Sequence, residues 1–266
     1  PAGSQWPVTG QGLARHRPVS GTGTGRSVGR SMVFTVPPDG AVRGYPGRMI
    51  TTPRLLAPVD PEAPLLVVAT REEAEHLGVD VPVLLTGIGR INATGALAET
   101  LARGPLPTSI LNVGTAGALR DKGADGGPLT GVHRIRQVRL HDFSHSAVRR
   151  LTGADAYPPI DLLAPPARAG AALSDGPLSD DPALVLATGD VFVEDSVTRA
   201  QLAEVGDLVD MEGYAIAWVA RRFGVPVELV KLVSDPADES AGKLWAAGVA
   251  ECSRLLGSHL GERFGA

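Results

Sequence analysis

The 266-residue chain holds a single cysteine, Cys252, so no disulfide can form within it. A reducing compartment, the cytoplasm, is the expected setting. Aromatic residues make up only 4%, which favours a core of small aliphatic side chains with helices packed closely on a sheet. Basic charge is also short. Lys and Arg number 25 against 29 Asp and Glu, a net charge of −4, without the basic footprint that nucleic-acid binding requires. No apolar run approaches the roughly 20 residues of a membrane span. There is no GxGxxG or Walker loop to hold a dinucleotide or nucleoside triphosphate, and no Gly-x-Ser-x-Gly elbow for a serine hydrolase. His141, Asp142 and His145 lie close in sequence, but no second histidine pair or cysteine set has the spacing of a metal centre. No metal or cofactor is expected.

What is present divides the chain in two. Residues 1–48 are rich in Gly, Pro, Ser, Thr and Arg, with six arginines against one acid, Asp39. Such a segment cannot offset its ordering entropy by burial, so it reads as a disordered leader or an extended reading frame. Residues 49–266 read as one domain. From Leu65 onward, short apolar strands alternate with amphipathic stretches. Strands are expected over 65–69, 81–85, 110–113, 132–140, 184–187 and 226–233. Helices are expected over 72–77, 91–102, 213–223 and 245–264, with a further one at about 167–173. This alternation predicts an α/β fold: three α/β/α layers around a central mixed, largely parallel sheet covered on both faces.

Function in such sheets gathers where the strands end. Here those ends are Thr70–Glu73, Gly87-Ile88-Gly89, Gly114-Thr115-Ala116-Gly117, Gly189–Val193 and Ser234-Asp235. All are polar, glycine-rich or acidic, and together they define one rim. Glu73 falls in a first helical turn, where the helix dipole also favours an acid. Gly87 permits close backbone approach. Thr115 offers a hydroxyl. Phe192 and Val193 offer a flat ring and backbone groups. Glu212 stands at a helix start, and Asp235 follows a nearly all-apolar strand. Two carboxylates delivered from neighbouring elements suit chemistry on a nucleoside: one holds sugar hydroxyls, the other protonates a base.

Asp210-Met211-Glu212-Gly213-Tyr214-Ala215-Ile216-Ala217 followed by Val233-Ser234-Asp235-Pro236-Ala237-Asp238 resembles the purine nucleoside phosphorylase superfamily. Within it, the chain is most similar to the methylthioadenosine/S-adenosylhomocysteine nucleosidases. The similarity runs from about Leu65 to the C-terminus. Thr86–Gly89, Asn112–Gly117 and Thr188–Val193 fall in the family's order. The resemblance implies hydrolysis of a purine N-glycosidic bond without a cofactor. It implies Asp235 as the acid that protonates purine N7, with Ser234 orienting it or helping to hold the base. Glu212 would bind the ribose hydroxyls, with Met211 beneath the sugar. Phe192 would stack on the purine while the Val193 backbone reads its edge. Glu73 would activate water that Thr115 helps to position. A small-molecule nucleoside is the implied partner, with homo-oligomers, dimers foremost, as the assembly.

Three departures from the family stand out. The stretch between Glu73 and Gly87 is too short for an additional hairpin. Lys231 stands where the family commonly has Arg, keeping the charge but losing the planar fork. Thr70 stands where the nucleosidases often have Met. Phosphorolysis is the competing chemistry, with Arg71 and Arg90 as its phosphate ligands, although Glu73 nearby would repel phosphate. Futalosine hydrolysis is a third outcome of the same chemistry, and non-catalytic nucleoside binding is an outcome of another class.

Overall fold

The computed structural model describes residues 53–123, 126–163 and 184–264. The leader and the helix expected near 167–173 lie outside them.

Leu65-Leu66-Val67-Val68 forms β2 (Leu65–Val68), buried throughout. Its period of two divides the core: Leu65 and Val67 enter one apolar layer, Leu66 and Val68 the other. Ahead of it lies β1 (Arg54–Leu55), and after it α1 (Arg71–Ala74), β3 (Val83–Leu85), α2 (Arg90–Arg103), β4 (Ile110–Ala118) and β5 (Gly131–Leu140). Then come α3 (His145–Thr152), β6 (Ile160–Asp161), β7 (Leu184–Thr188), α4 (Ser196–Leu202), β8 (Leu208–Asp210), α5 (Gly213–Phe223), β9 (Val227–Asp235) and α6 (Ala241–Phe264).

The sheet runs β1-β3-β2-β4-β8-β7-β5-β6, and β9 pairs with both β4 and β5. Strand β9 thereby closes a ring, β4–β8–β7–β5–β9. Parallel pairings join β2 to β3, β2 to β4, β4 to β9, β5 to β7 and β7 to β8. The remaining pairings, β1–β3, β4–β8, β5–β6 and β5–β9, are antiparallel. The sheet is mixed, as expected; its closure into a ring has no local signature in the sequence.

Helices cover both faces. On one side α2 buries Ala93, Ala96, Leu97 and Leu101, and α5 buries most of its length. On the other, α6 buries Cys252, Leu256 and Leu260. Each fully buried leucine contributes roughly 1.5–3 kcal/mol. Helix α1 is shorter than the 72–77 expectation. The chain after it is drawn under α6 instead: the His76 N–H donates to Ser253 Oγ at 2.9 Å. Gly257 allows that contact, because a Cβ there would collide with the His76 carbonyl. The short 75–82 segment thus runs straight into β3, with no extra hairpin.

Strand β4 also differs from its expectation. It does not end at Gly114; it continues through Gly114-Thr115-Ala116-Gly117 to Ala118, with its register against β9 shifting between Ala116 and Gly117. Glycine inside a strand marks a close approach rather than a turn. Gly114 and Gly117 are the places where acidic side chains lie against the strand.

Candidate active site

The ends of β2, β4, β8 and β9 surround a cavity of about 220 Å³. Glu73, Thr115, Phe192, Val193, Met211, Glu212, Ser234 and Asp235 line it. Two expected residues do not. Lys231 lies behind the wall, and Gly87 only turns the chain, at φ 85°. Gly117 is the glycine that lines it, and Gly89 (φ 91°) meets it through a lining side chain, its N–H donating to Glu212 Oε1 at 2.6 Å.

Thr70 and Glu73 form a reciprocal capping box at the start of α1. Glu73 N–H donates to Thr70 Oγ1 at 3.2 Å, while Glu73 Oε2 accepts from the Thr70 N–H at 3.2 Å and hydroxyl at 3.0 Å. The other carboxylate oxygen, Oε1, accepts from the Thr115 N–H and hydroxyl, both at 2.8 Å. The helix-cap role and the cavity role therefore coexist: four donors hold this buried carboxylate in one orientation.

Asp235, also buried, is held from both sides. The Ser234 hydroxyl donates to Oδ2 at 2.7 Å and the Ala237 N–H to Oδ1 at 2.9 Å. Ala237 adopts φ 52°, a left-handed conformation that is costly for a residue with a Cβ. The tight 235–237 turn that aims its N–H at Asp235 accounts for that strain. Gly117 makes room beneath, since a Cβ there would lie 3.1 Å from Asp235 Oδ1.

Behind Glu212 sits a residue absent from the expected site, Asp210. Its Oδ1 accepts from the Thr188 hydroxyl at 2.7 Å, and its Oδ2 from the Gly213 N–H and Lys231 Nζ, both at 2.9 Å. Among the described residues Lys231 is the largest fully buried side chain. Burial opposes its charge, but Asp210, Glu212 and Glu73 outweigh that and hold its pKa above the ordinary lysine value. Glu212 moves the other way. Burial first, and then the Asp210 carboxylate, push it up to about 8, against the opposing pull of Lys231 and the Gly89 N–H. The second missed residue is Trp245 of α6, which lines the cavity and donates its indole N–H to Thr115 Oγ1 at 3.0 Å. Asp210 was legible as a carboxylate three residues before a helix start. Trp245 had no signal beyond being one of three tryptophans.

At the rim, Arg90 opens α2 and bridges Asp142 and Asp190, both at 2.8 Å. His141 packs its ring over Gly189, where a Cβ would collide with it. Burial, the largest influence, keeps this histidine below its ordinary pKa. Among the described residues no group of three or more His, Cys, Asp or Glu side chains is arranged to hold a metal ion. No helix among them is long and apolar enough to cross a membrane.

Residues 69–259 match the family model described as the Phosphorylase superfamily, and the chain belongs to that family. A 5′-methylthioadenosine/S-adenosylhomocysteine nucleosidase of Shewanella halifaxensis is 33% identical over 174 residues, 62% of this chain and 72% of that protein. Among solved structures, futalosine hydrolase of Helicobacter pylori is 20% identical with a TM-score of 0.55, covering 75% of this chain and 96% of that one. A mutant Helicobacter pylori MTAN with 5′-methylthioadenosine in its active site is 19% identical with a TM-score of 0.56, covering 76% and 97%. At that identity the two structures speak for the fold alone.

Proposed function

We propose that this protein is a purine nucleosidase that hydrolyses the N-glycosidic bond of 5′-methylthioadenosine- and S-adenosylhomocysteine-type nucleosides, giving free base and a ribose derivative. The observation that carries this reading is the lining of the cavity. Four carboxylates, of Glu73, Asp210, Glu212 and Asp235, meet there, and no Lys, Arg or His stands among the lining residues.

The chemistry follows from charge. As the C1′–N9 bond breaks, cationic character builds on the ribose and negative charge on the leaving purine. Asp235 delivers a proton to purine N7, so the base leaves neutral. Water adds to C1′ as Glu73 takes its proton, and Thr115 helps to position that water. Glu212 binds the ribose hydroxyls, with Met211 beneath the sugar. Ser234 orients Asp235, Phe192 stacks on the purine, and the Val193 backbone meets its edge. An acid or base so placed contributes about 10²–10⁴-fold. Lys231 acts from behind the wall, fixing Asp210 rather than touching the nucleoside.

A phosphate dianion would be repelled by these carboxylates. Of the arginines named for phosphorolysis, Arg90 is engaged with Asp142 and Asp190, and Arg71 is exposed at the start of α1, outside the lining; Lys231 is paired with Asp210. The reading includes a reducing cytoplasmic setting, in keeping with a free, buried Cys252, a place in purine and methionine salvage, and a homodimer, which light scattering tests. The activity is tested by offering methylthioadenosine, S-adenosylhomocysteine, inosine and futalosine, with and without phosphate, and following base release. Phosphate-independent release from the first two is expected. Release only with phosphate would overturn hydrolysis, and release from futalosine alone would move the substrate. No release from any of them would leave a nucleoside-binding protein.

A further inference from the structure

Among the described lining residues, Trp245 is the one that donates a side-chain N–H to another lining residue's hydroxyl. An indole N–H is a donor only. At 3.0 Å from Thr115 Oγ1 it must donate, and the Thr115 oxygen must accept. The single Thr115 hydroxyl hydrogen is then left for Glu73 Oε1, 2.8 Å away. The chain of bonds has one direction: indole to hydroxyl to carboxylate.

That direction matters for Glu73. Its Oε1 takes both short bonds from Thr115, whereas Oε2 has the longer contacts at 3.0 and 3.2 Å from Thr70. One oxygen is committed, and the other is the more readily released. Without the indole N–H, Glu73 Oε1 alone orients the Thr115 hydroxyl, and a water donating to or accepting from that hydroxyl competes with it. We propose that Trp245 is a positioning residue for hydrolysis: acting through Thr115, it commits Glu73 Oε1 as an acceptor and leaves Oε2 to take the proton of the attacking water.

This rests on the nucleosidase reading, and its test separates the two. Trp245→Phe keeps an aromatic wall and removes the N–H. With methylthioadenosine, kcat should fall roughly tenfold, the worth of one well-placed hydrogen bond, while KM stays within about twofold. Because Trp245 acts through the hydroxyl, the same substitution in a Thr115→Val background should change kcat by less than about twofold. An unchanged thermal midpoint in Trp245→Phe shows that the fold is retained. A parent protein that releases no base refutes the nucleosidase reading and this inference with it. An active parent whose Trp245→Phe variant keeps its kcat refutes the inference alone, and so does an equal loss of kcat in the Thr115→Val background. A rise in KM without a fall in kcat would make Trp245 only a wall of the cavity, and also refutes it.

Discussion

Removing the charge from Lys231 should destabilise the protein more than any surface change, and removing Asp210 with it should restore part of the loss. The two side chains are 2% and 1% exposed and their charged atoms lie 2.9 Å apart. At an effective dielectric of about 20, two unit charges at that distance attract by about 6 kcal/mol, from which desolvation takes back a large share. Lys231→Met keeps the apolar stem and strands Asp210 beside Glu212 and Glu73 without a cation. Asp210→Asn keeps the shape and strands the ammonium instead. Each single variant should lose about 3–5 kcal/mol, because breaking a buried pair leaves an uncompensated charge. The double variant should lose less than the two singles added, by on the order of 2 kcal/mol. The assay is urea unfolding of all four proteins at pH 7, with the m-value checked for constancy. That pH suits the cycle because the lysine pKa is raised in the fold. Its contribution is complete below its unfolded value of about 10.4 and is lost only as pH rises through the still higher folded value. Additive losses, or a Lys231→Met loss below about 1 kcal/mol, would refute the reasoning that this pair is the electrostatic anchor of the site.

Three further outcomes follow from the geometry. Asp235→Asn should lower the rate of base release by about 10²–10⁴-fold while leaving the calorimetric Kd for the nucleoside within a few-fold; near-parent rates would remove Asp235 from the acid role. Glu212 is raised to about 8 in the free protein. If its ionised form holds ribose, kcat/KM should climb with pH toward 8 and level off above it, and Glu212→Gln should flatten that limb. Over the same window, from about 4.3 to 8, the unfolded chain gives up a proton that the folded one keeps. Stability from this group therefore falls as pH rises, and Glu212→Gln should reduce that fall in pH-dependent urea midpoints. Gly117→Ala would set a Cβ 3.0 Å from Ala237 Cβ and 3.1 Å from Asp235 Oδ1. About 1–3 kcal/mol of destabilisation is expected, together with a lower kcat, read by unfolding and by base release.

Much of this arrangement was legible in sequence because it is local. The run Leu65–Val68 announces a strand buried on both faces. The apolar spacing of 91–102 announces α2, and the two acidic motifs announce elements that deliver carboxylates to one rim. What escaped depends on partners distant in the chain. Gly114-Thr115-Ala116-Gly117 has the composition of a turn. It becomes strand because β9 pairs along it in parallel, from Ile110 opposite Val227 to Gly117 opposite Asp235. Lys231 has the spacing of a site residue, but it faces Gly114 across that pair and is drawn to Asp210. Trp245 belongs to the last helix, and 130 residues separate it from the hydroxyl it binds. No periodicity records such a contact.

The two glycines of β4 connect these observations. A Cβ at Gly114 would lie 3.1 Å from Glu73 Oε1 and 3.6 Å from Lys231 Nζ, while one at Gly117 would crowd Asp235. Each bare position leaves room for one of the carboxylates assigned a proton transfer, so β4 serves as a floor on which Glu73 and Asp235 rest. The intervening Thr115 is the only residue of that floor to give both its N–H and its hydroxyl to Glu73. Glu212 and Asp210 come from the opposite side, from β8 and the turn into α5, with Lys231 threaded between the two groups. Negative charge is thereby concentrated around the place assigned to the sugar, and burial first, then the Asp210 carboxylate, favours the neutral form of Glu212. On the nucleosidase reading, ribose hydroxyls that donate to Glu212 and the cationic character that develops on C1′ both favour its ionised form, its proton passing to solvent. On that reading the attraction between Glu212 and the sugar is strongest as the bond breaks, which is the condition under which binding energy lowers a barrier rather than a KM.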